Sequence, residues 1–174
     1  MTNIVLIGMM GSGKSTLGRV LSGKTGMRFL ETDSIIEEQK NMTIPHIFEQ
    51  YGESYFRALE TDAARYVSEQ RGAVISTGGG MVLDPRNMAL LKGFVVYLRC
   101  EPLLLHERTA EDGNRPLLTA ADDRLAQITK LLAEREPLYS RYSNFTLDDT
   151  GGLLADRLAE MILDEYNSYQ RPES

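Results

Sequence analysis

The run Asn3-Ile4-Val5-Leu6-Ile7 passes directly into Gly8-Met9-Met10-Gly11-Ser12-Gly13-Lys14-Ser15-Thr16. A short apolar strand that ends in a glycine-rich turn closed by Lys-Ser leaves the chain few folds to choose from. The glycines let successive backbone N–H groups turn inward, and a helix starting near Lys14 adds its positive end at the same point. The arrangement is a phosphate cradle. Gly11, Ser12, Gly13, Lys14, Ser15 and Thr16 are its nucleotide-binding candidates. Lys14 is placed to reach β- and γ-phosphates, and the Ser15 hydroxyl to ligate Mg²⁺. A second string, Gly18-Arg19-Val20-Leu21-Ser22-Gly23-Lys24-Thr25, satisfies the same pattern. No strand precedes it, because residues 14–22 are already helix, so it is rejected. Gly23 and Gly26 read as helix-ending residues.

Four more β-rich stretches follow: Arg28 to Leu30, Ala73 to Ser76, Phe94 to Leu98 and Asn144 to Leu147. Helical stretches alternate with them, over 14–25, 34–40, 44–70, 85–91, 102–109, 122–142 and 153–166. Asp84 caps the fourth helix ahead of Pro85, and Leu125, Ile128, Leu131 and Leu132 share a face of the sixth. Strands alternating with helices predict an α/β chain, a parallel sheet with helices on both faces. At 174 residues and 42% hydrophobic content, one domain with a full core is expected. A net charge of −6 argues against a general nucleic-acid binder. The single Cys100 excludes an intramolecular disulfide framework. No basic leader and no membrane-length apolar run is present, so a cytoplasmic location is the expectation.

Glu31-Thr32-Asp33 falls at the end of the second strand, where ligands of open parallel sheets bind. A carboxylate there can hold a metal-bound water or take a proton from an attacking hydroxyl. Asp33 can equally serve as a helix N-cap. Thr77-Gly78-Gly79-Gly80 follows the third strand and allows close backbone approach to a ligand, or simply a turn. Arg57, near Phe48 and Phe56, and Arg135 read from the residues alone as surface ion-pair residues. His46 and His106 have no partner at ligand spacing and read as structural. Residues 110–123 carry Arg115-Pro116-Leu117-Leu118 between polar flanks. The segment is either a solvated loop or a closing lid that presents an arginine and excludes water.

Taken together, the phosphate cradle, Glu31-Thr-Asp33, Phe56-Arg57, Gly78-Gly79-Gly80, Arg115-Pro116-Leu117-Leu118 and Arg135-Glu-Pro-Leu-Tyr139 resemble the shikimate kinase family in order and spacing over nearly the whole chain. The resemblance implies a three-layer P-loop kinase fold with five parallel strands in the order 2-3-1-4-5. It implies a substrate-binding helical region over about 33–62 and a lid over about 110–123. It implies transfer of the ATP γ-phosphoryl group to the 3-hydroxyl of shikimate, on the chorismate route to aromatic amino acids, by a monomer. Lys14, Asp33 and Arg115 are then the catalytic expectations. Arg108, Arg115, Pro116 and the Asp149-Thr150 region join the nucleotide contacts. Asp33, Arg57, Arg135, Gly78, Gly79, Gly80, Ile44, Phe48, Phe56 and Glu60 form the shikimate site, with Arg57 and Arg135 on its carboxylate. Ser15 holds Mg²⁺, with Glu31 reaching it through water. Glu31 departs from the family pattern, which usually has aspartate there. Another small-molecule kinase of the same fold, acting on gluconate or a nucleotide, and a nucleotide-dependent regulatory module are the competing readings.

Overall fold

The computed structural model describes residues 1–110, 116–119, 123–149 and 151–171. Its centre is a five-stranded sheet in the order β2-β3-β1-β4-β5, built from β1 (Ile4–Ile7), β2 (Arg28–Glu31), β3 (Ala73–Ser76), β4 (Phe94–Cys100) and β5 (Phe145–Asp149). All four pairings are parallel, and Val5 at the centre faces Ile75 on one side and Val95 on the other. A parallel sheet is covered on both faces, which is why β1 and β3 are buried throughout.

The period of two along β1 divides the core. Val5 and Ile7 point to one layer, shared with Ile75, Tyr97 and the inner face of α7 (Arg124–Tyr142). Ile4 and Leu6 point to the other, against Leu17 and Leu21 of α1 (Lys14–Thr25) and Leu158 and Ile162 of α8 (Ala155–Tyr169). A third, smaller core joins α2 (Thr32–Lys40) to α3 (Ile44–Ser68) through Ile36, Ile47, Phe56, Leu59 and Ala63. The remaining helices are α4 (Pro85–Leu90), α5 (Pro102–Thr109) and α6 (Pro116–Thr119).

Several boundaries differ from the sequence expectation. The second helix starts at Thr32, with Glu31 in the N-cap position, so Asp33 lies in the first turn and is not the cap. The expected helix over 44–70 stops at Ser68 and is interrupted at Gly52, whose φ of 79° and ψ of 174° are not helical. That φ lies in the left-handed half of conformational space, where glycine has no Cβ to clash. Gly23 lies inside α1, and Gly26 with φ 70° ends it. The long late helix begins at Arg124, capped by Asp123, which accepts a hydrogen bond from the Ala126 N–H. Asp84 caps α4 as expected. Within the expected lid, residues 116–119 form a short helix whose Leu118 is fully buried. Residues 111–115 and 120–122 lie outside the described residues.

Candidate active site

Strands β1, β2 and β3 all deliver their C-terminal ends to the same edge of the sheet. The Gly8–Thr16 loop, Glu31 to Asp33 and Thr77 to Gly80 therefore meet there, as parallel topology requires. They enclose a cavity of about 640 Å³, lined by every residue from Met10 to Leu17 and by Glu31, Asp33, Arg108 and Asp149. Gly13, with φ 90°, is the N-cap of α1 and turns the loop into the helix. Lys14 is only 7% exposed. Its Nζ donates to the carbonyls of Gly8 (2.9 Å) and Met9 (2.8 Å), which holds the ammonium against the loop. Ser15 donates its hydroxyl hydrogen to Glu31 Oε1, and Glu31 Oε2 accepts from Ser34 (3.1 Å). On the opposite wall Arg108 pairs with the buried Asp149 at 2.8 Å, across the end of β5. Cys100 lies beneath that pair, and burial, then the nearby Asp149, pushes its thiol up to about 11.

A second, smaller cavity of about 60 Å³ adjoins the first. Met10, Asp33, Ile44 and Gly79 line both, so the Asp33 carboxylate stands at their junction. Phe48 and Phe56, rings 4.8 Å apart, form an apolar wall. Arg57 and Arg135 arrive from α3 and α7. Pro116, expected on the nucleotide side, lines this smaller cavity together with Leu117.

Neither arginine is a freely solvated surface residue: Arg135 is buried and Arg57 half-buried. Arg135 is 3% exposed. Arg57 donates from Nη1 to Glu60 Oε2 at 2.6 Å, and from Nε and Nη2 to Glu53 Oε1 at 3.2 and 2.7 Å. Glu60 is 1% exposed. Burial raises its carboxyl above the ordinary range, while Arg57 opposes the rise. Burial likewise works against the Arg57 charge, but Glu60 and then Glu53 outweigh it and hold the guanidinium protonated. Tyr139, one turn beyond Arg135, stacks on Tyr97 with centroids 5.0 Å apart and donates to the Gly79 carbonyl at 2.6 Å. Burial pushes its phenol up to about 12.

These side chains explain the triple glycine. A Cβ at Gly78 would stand 2.6 Å from Asp33 Oδ1 and 2.9 Å from Glu60 Oε1. A Cβ at Gly80 would overlap the Arg57 guanidinium. The loop is bare at Gly78 and Gly80 because charged groups of α2 and α3 press on it.

Of the other expected residues, Ser12, Thr16 and Gly11 line the larger cavity. Arg115 and Thr150 lie outside the described residues. His46 is exposed and His106 half-buried, and neither lines either cavity. The rejected second motif is used structurally: Lys24 pairs with Asp156 of α8 at 3.0 Å. Sequence reasoning missed Glu53, although its position four residues before Arg57 is a helical ion-pair spacing. It also missed the Tyr139 link to the glycine loop. Among the described residues there is no cluster of three or more His, Cys, Asp or Glu able to hold a metal ion, and no helix long and apolar enough to cross a membrane. The Ser15 hydroxyl with the Glu31 carboxylate is a hard oxygen pair that suits Mg²⁺ shared with phosphate oxygens.

The family model described as shikimate kinase matches residues 10–166. A protein named shikimate kinase from Stenotrophomonas maltophilia (strain K279a) is 42% identical over 173 residues, 98% of this chain and 96% of the relative. One from Dechloromonas aromatica is 40% identical over 167 residues, 95% and 90% of the two chains. Among solved structures, the shikimate kinase of Acinetobacter baumannii in complex with shikimate superposes with a TM-score of 0.94 at 37% identity, covering 99% of this chain and 96% of that one. A deoxyadenosine kinase from M. mycoides shares the fold alone, with a TM-score of 0.62 at 14% identity. The fold is that of a P-loop kinase, with the strand order 2-3-1-4-5 anticipated from the sequence. The chain belongs to the shikimate kinase family.

Proposed function

We propose that this chain is an ATP:shikimate 3-phosphotransferase, forming 3-phosphoshikimate and ADP on the route to aromatic amino acids. The observation that carries the reading is the junction at Asp33. One carboxylate stands between a phosphate-cradling cavity and a small cavity lined by two arginines. A kinase for a small carboxylated polyol needs that juxtaposition, because donor and acceptor must meet within one water-excluding space.

The loop N–H groups and Lys14 hold the β- and γ-phosphates. Ser15, with Glu31 through water, would hold Mg²⁺, which would supply positive charge to offset that of the phosphates. Arg57 and Arg135 grip the shikimate carboxylate, a planar anion that suits guanidinium forks. Gly78, Gly79, Gly80 and Glu60 complete the polar wall, and Ile44, Phe48 and Phe56 cover the ring. Asp33 orients the reacting hydroxyl and takes its proton. Arg108 and the Asp149-Thr150 region flank the nucleotide, and Pro116 with Leu117 lines the acceptor cavity. Arg115, on the lid over about 110–123, adds positive charge where it develops in the transition state. Residues 1–174 act as one domain and as a monomer in the cytoplasm.

The test is a coupled ADP-release assay with ATP and Mg²⁺, offering shikimate, gluconate and nucleoside monophosphates in parallel. Turnover is expected with shikimate alone. Faster turnover of gluconate or a nucleotide would overturn the reading, and ADP release with none of them would point to a regulatory module.

A further inference from the structure

Glu53 does not belong to the site as drawn so far, yet it holds part of it. Its Oε1 accepts from both Nε and Nη2 of Arg57, which is one complete two-pronged edge of the guanidinium. A carboxylate on that edge is the same chemistry as the carboxylated acceptor that Arg57 is proposed to bind. On the reading that Arg57 grips shikimate, we infer that Glu53 is an internal stand-in for the substrate carboxylate, occupying Arg57 until the substrate displaces it.

The two carboxylates on Arg57 differ in the way this role demands. The Glu60 side chain is 1% exposed, and its contact with Nη1 presses against the glycine loop. Removing one partner from such a buried pair strands a charge, so Glu60 is an anchor. The Glu53 side chain is 51% exposed. A carboxylate released from an exposed pair returns to water at little cost, so Glu53 is the one that yields. Backbone geometry supports the same division. Glu53 directly follows Gly52, where α3 is interrupted, whereas Glu60 lies two turns inside the continuous helix and packs toward Asp33.

The occupied edge also filters ligands. An anion that merely neutralises Arg57 gains little, because Glu53 already does so. A ligand must bring additional contacts, to Arg135, the glycine loop and Asp33, before the exchange becomes favourable. Glu53 therefore lowers the affinity for simple carboxylates as well as for the substrate.

Calorimetric titration of shikimate tests this with Glu53→Gln and Glu53→Asp, the second too short to reach the guanidinium. Both are expected to bind shikimate about three- to fivefold more tightly than wild type, as removal of an exposed competing pair predicts. The gain should appear in the KM for shikimate and leave the KM for ATP where it was. It should vanish for an analogue with a neutral carboxamide in place of the carboxylate, and in an Arg57→Ala background. Unchanged or weaker shikimate binding in both variants, with wild-type binding intact, would overturn the stand-in role alone. A wild-type protein that bound no shikimate would overturn the functional reading and the stand-in with it.

Discussion

Gly80→Ala tests the proposed carboxylate grip through Arg57 while leaving the phosphate loop untouched. The backbone at Gly80 has φ −89° and ψ −3°, the bridge region that residue i+2 of a type I turn occupies and that is open to residues with a Cβ, so the substitution adds little torsional strain. Its whole effect comes from the new methyl group, which would overlap the Arg57 guanidinium. The guanidinium is the far end of a flexible side chain, and Arg57 is partly exposed, so it moves outward while the loop keeps its place. With Arg57 on the shikimate carboxylate as proposed, moving it strips one charge-assisted contact, about 1.5–3 kcal/mol, or about one to two decades in Kd. The same motion loosens the Glu60 pair, so some loss of stability is expected, but a cooperative fold should remain. Calorimetry with shikimate and with ADP, beside a thermal melt, separates the effects. Shikimate affinity should drop by the stated factor while ADP affinity holds. Wild-type shikimate affinity in a folded Gly80→Ala protein would refute the argument that Arg57 and the bare loop form one device.

Three further outcomes follow from the geometry. Lys14→Ala should abolish detectable turnover in a folded protein, whereas Lys24→Ala, which loses its pairs with Asp156 and Glu160 of α8, should stay within a few-fold of wild type. Arg135→Ala should weaken shikimate binding by about one to two decades and leave ADP binding unchanged, with a lower melting temperature because the residue is buried. Glu60 carries a pH signature. Its carboxyl is raised above the ordinary 4.5 in the folded state, chiefly by burial, so the native protein binds that proton more tightly than the unfolded chain does. Its contribution to stability is present below pH 4.5 and declines as pH rises through the raised value. Glu60→Gln should remove this decline, so that its melting temperature relative to wild type increases from pH 4 to pH 7. A constant difference across that range would contradict the assigned direction.

The phosphate loop and the alternation of strands with helices were legible because both rest on local signals, an apolar strand, a glycine turn and a helix start, whereas the strand order came with the resemblance to the family. What was not legible lies at long range. From the residues alone Arg135 reads as a surface ion-pair group, flanked as it is by Glu134 and Glu136. Yet the buried positions of α7 are 128, 131, 132, 135 and 139, one apolar stripe in which Arg135 is the exception. Glu60 interrupts the α3 stripe in the same way, among buried positions 56, 59, 60, 63, 64 and 67. A charged residue at a core position of a helical stripe is the signal that could have found both, because such a group is buried only where a partner compensates it. Gly52 hid for the opposite reason. A lone glycine in a helical pattern is tolerated, and only its backbone angles show the helix broken there.

The small cavity also explains why two arginines can wait there without capturing any passing anion. Arg57 and Arg135 bring two positive charges, and Asp33 and Glu60 return two negative ones within the same lining. Glu53 adds a third carboxylate from outside, the second one on Arg57. Among the described residues that line the small cavity the formal charges therefore balance before a ligand arrives, and bulk anion attraction contributes little there. Affinity has to come from directed contacts: a planar carboxylate that fits a guanidinium edge, hydroxyls that reach the Asp33 carboxylate, and a ring that fills the space beside Phe48 and Phe56. A phosphate or a monocarboxylate offers one of these, and a carboxylated cyclic polyol offers all three. Selectivity on this view resides in the balance of fixed charges around Arg57 and Arg135 as much as in cavity shape, and the fold sets that balance by joining α2, α3, α7 and the glycine loop at one end of the sheet.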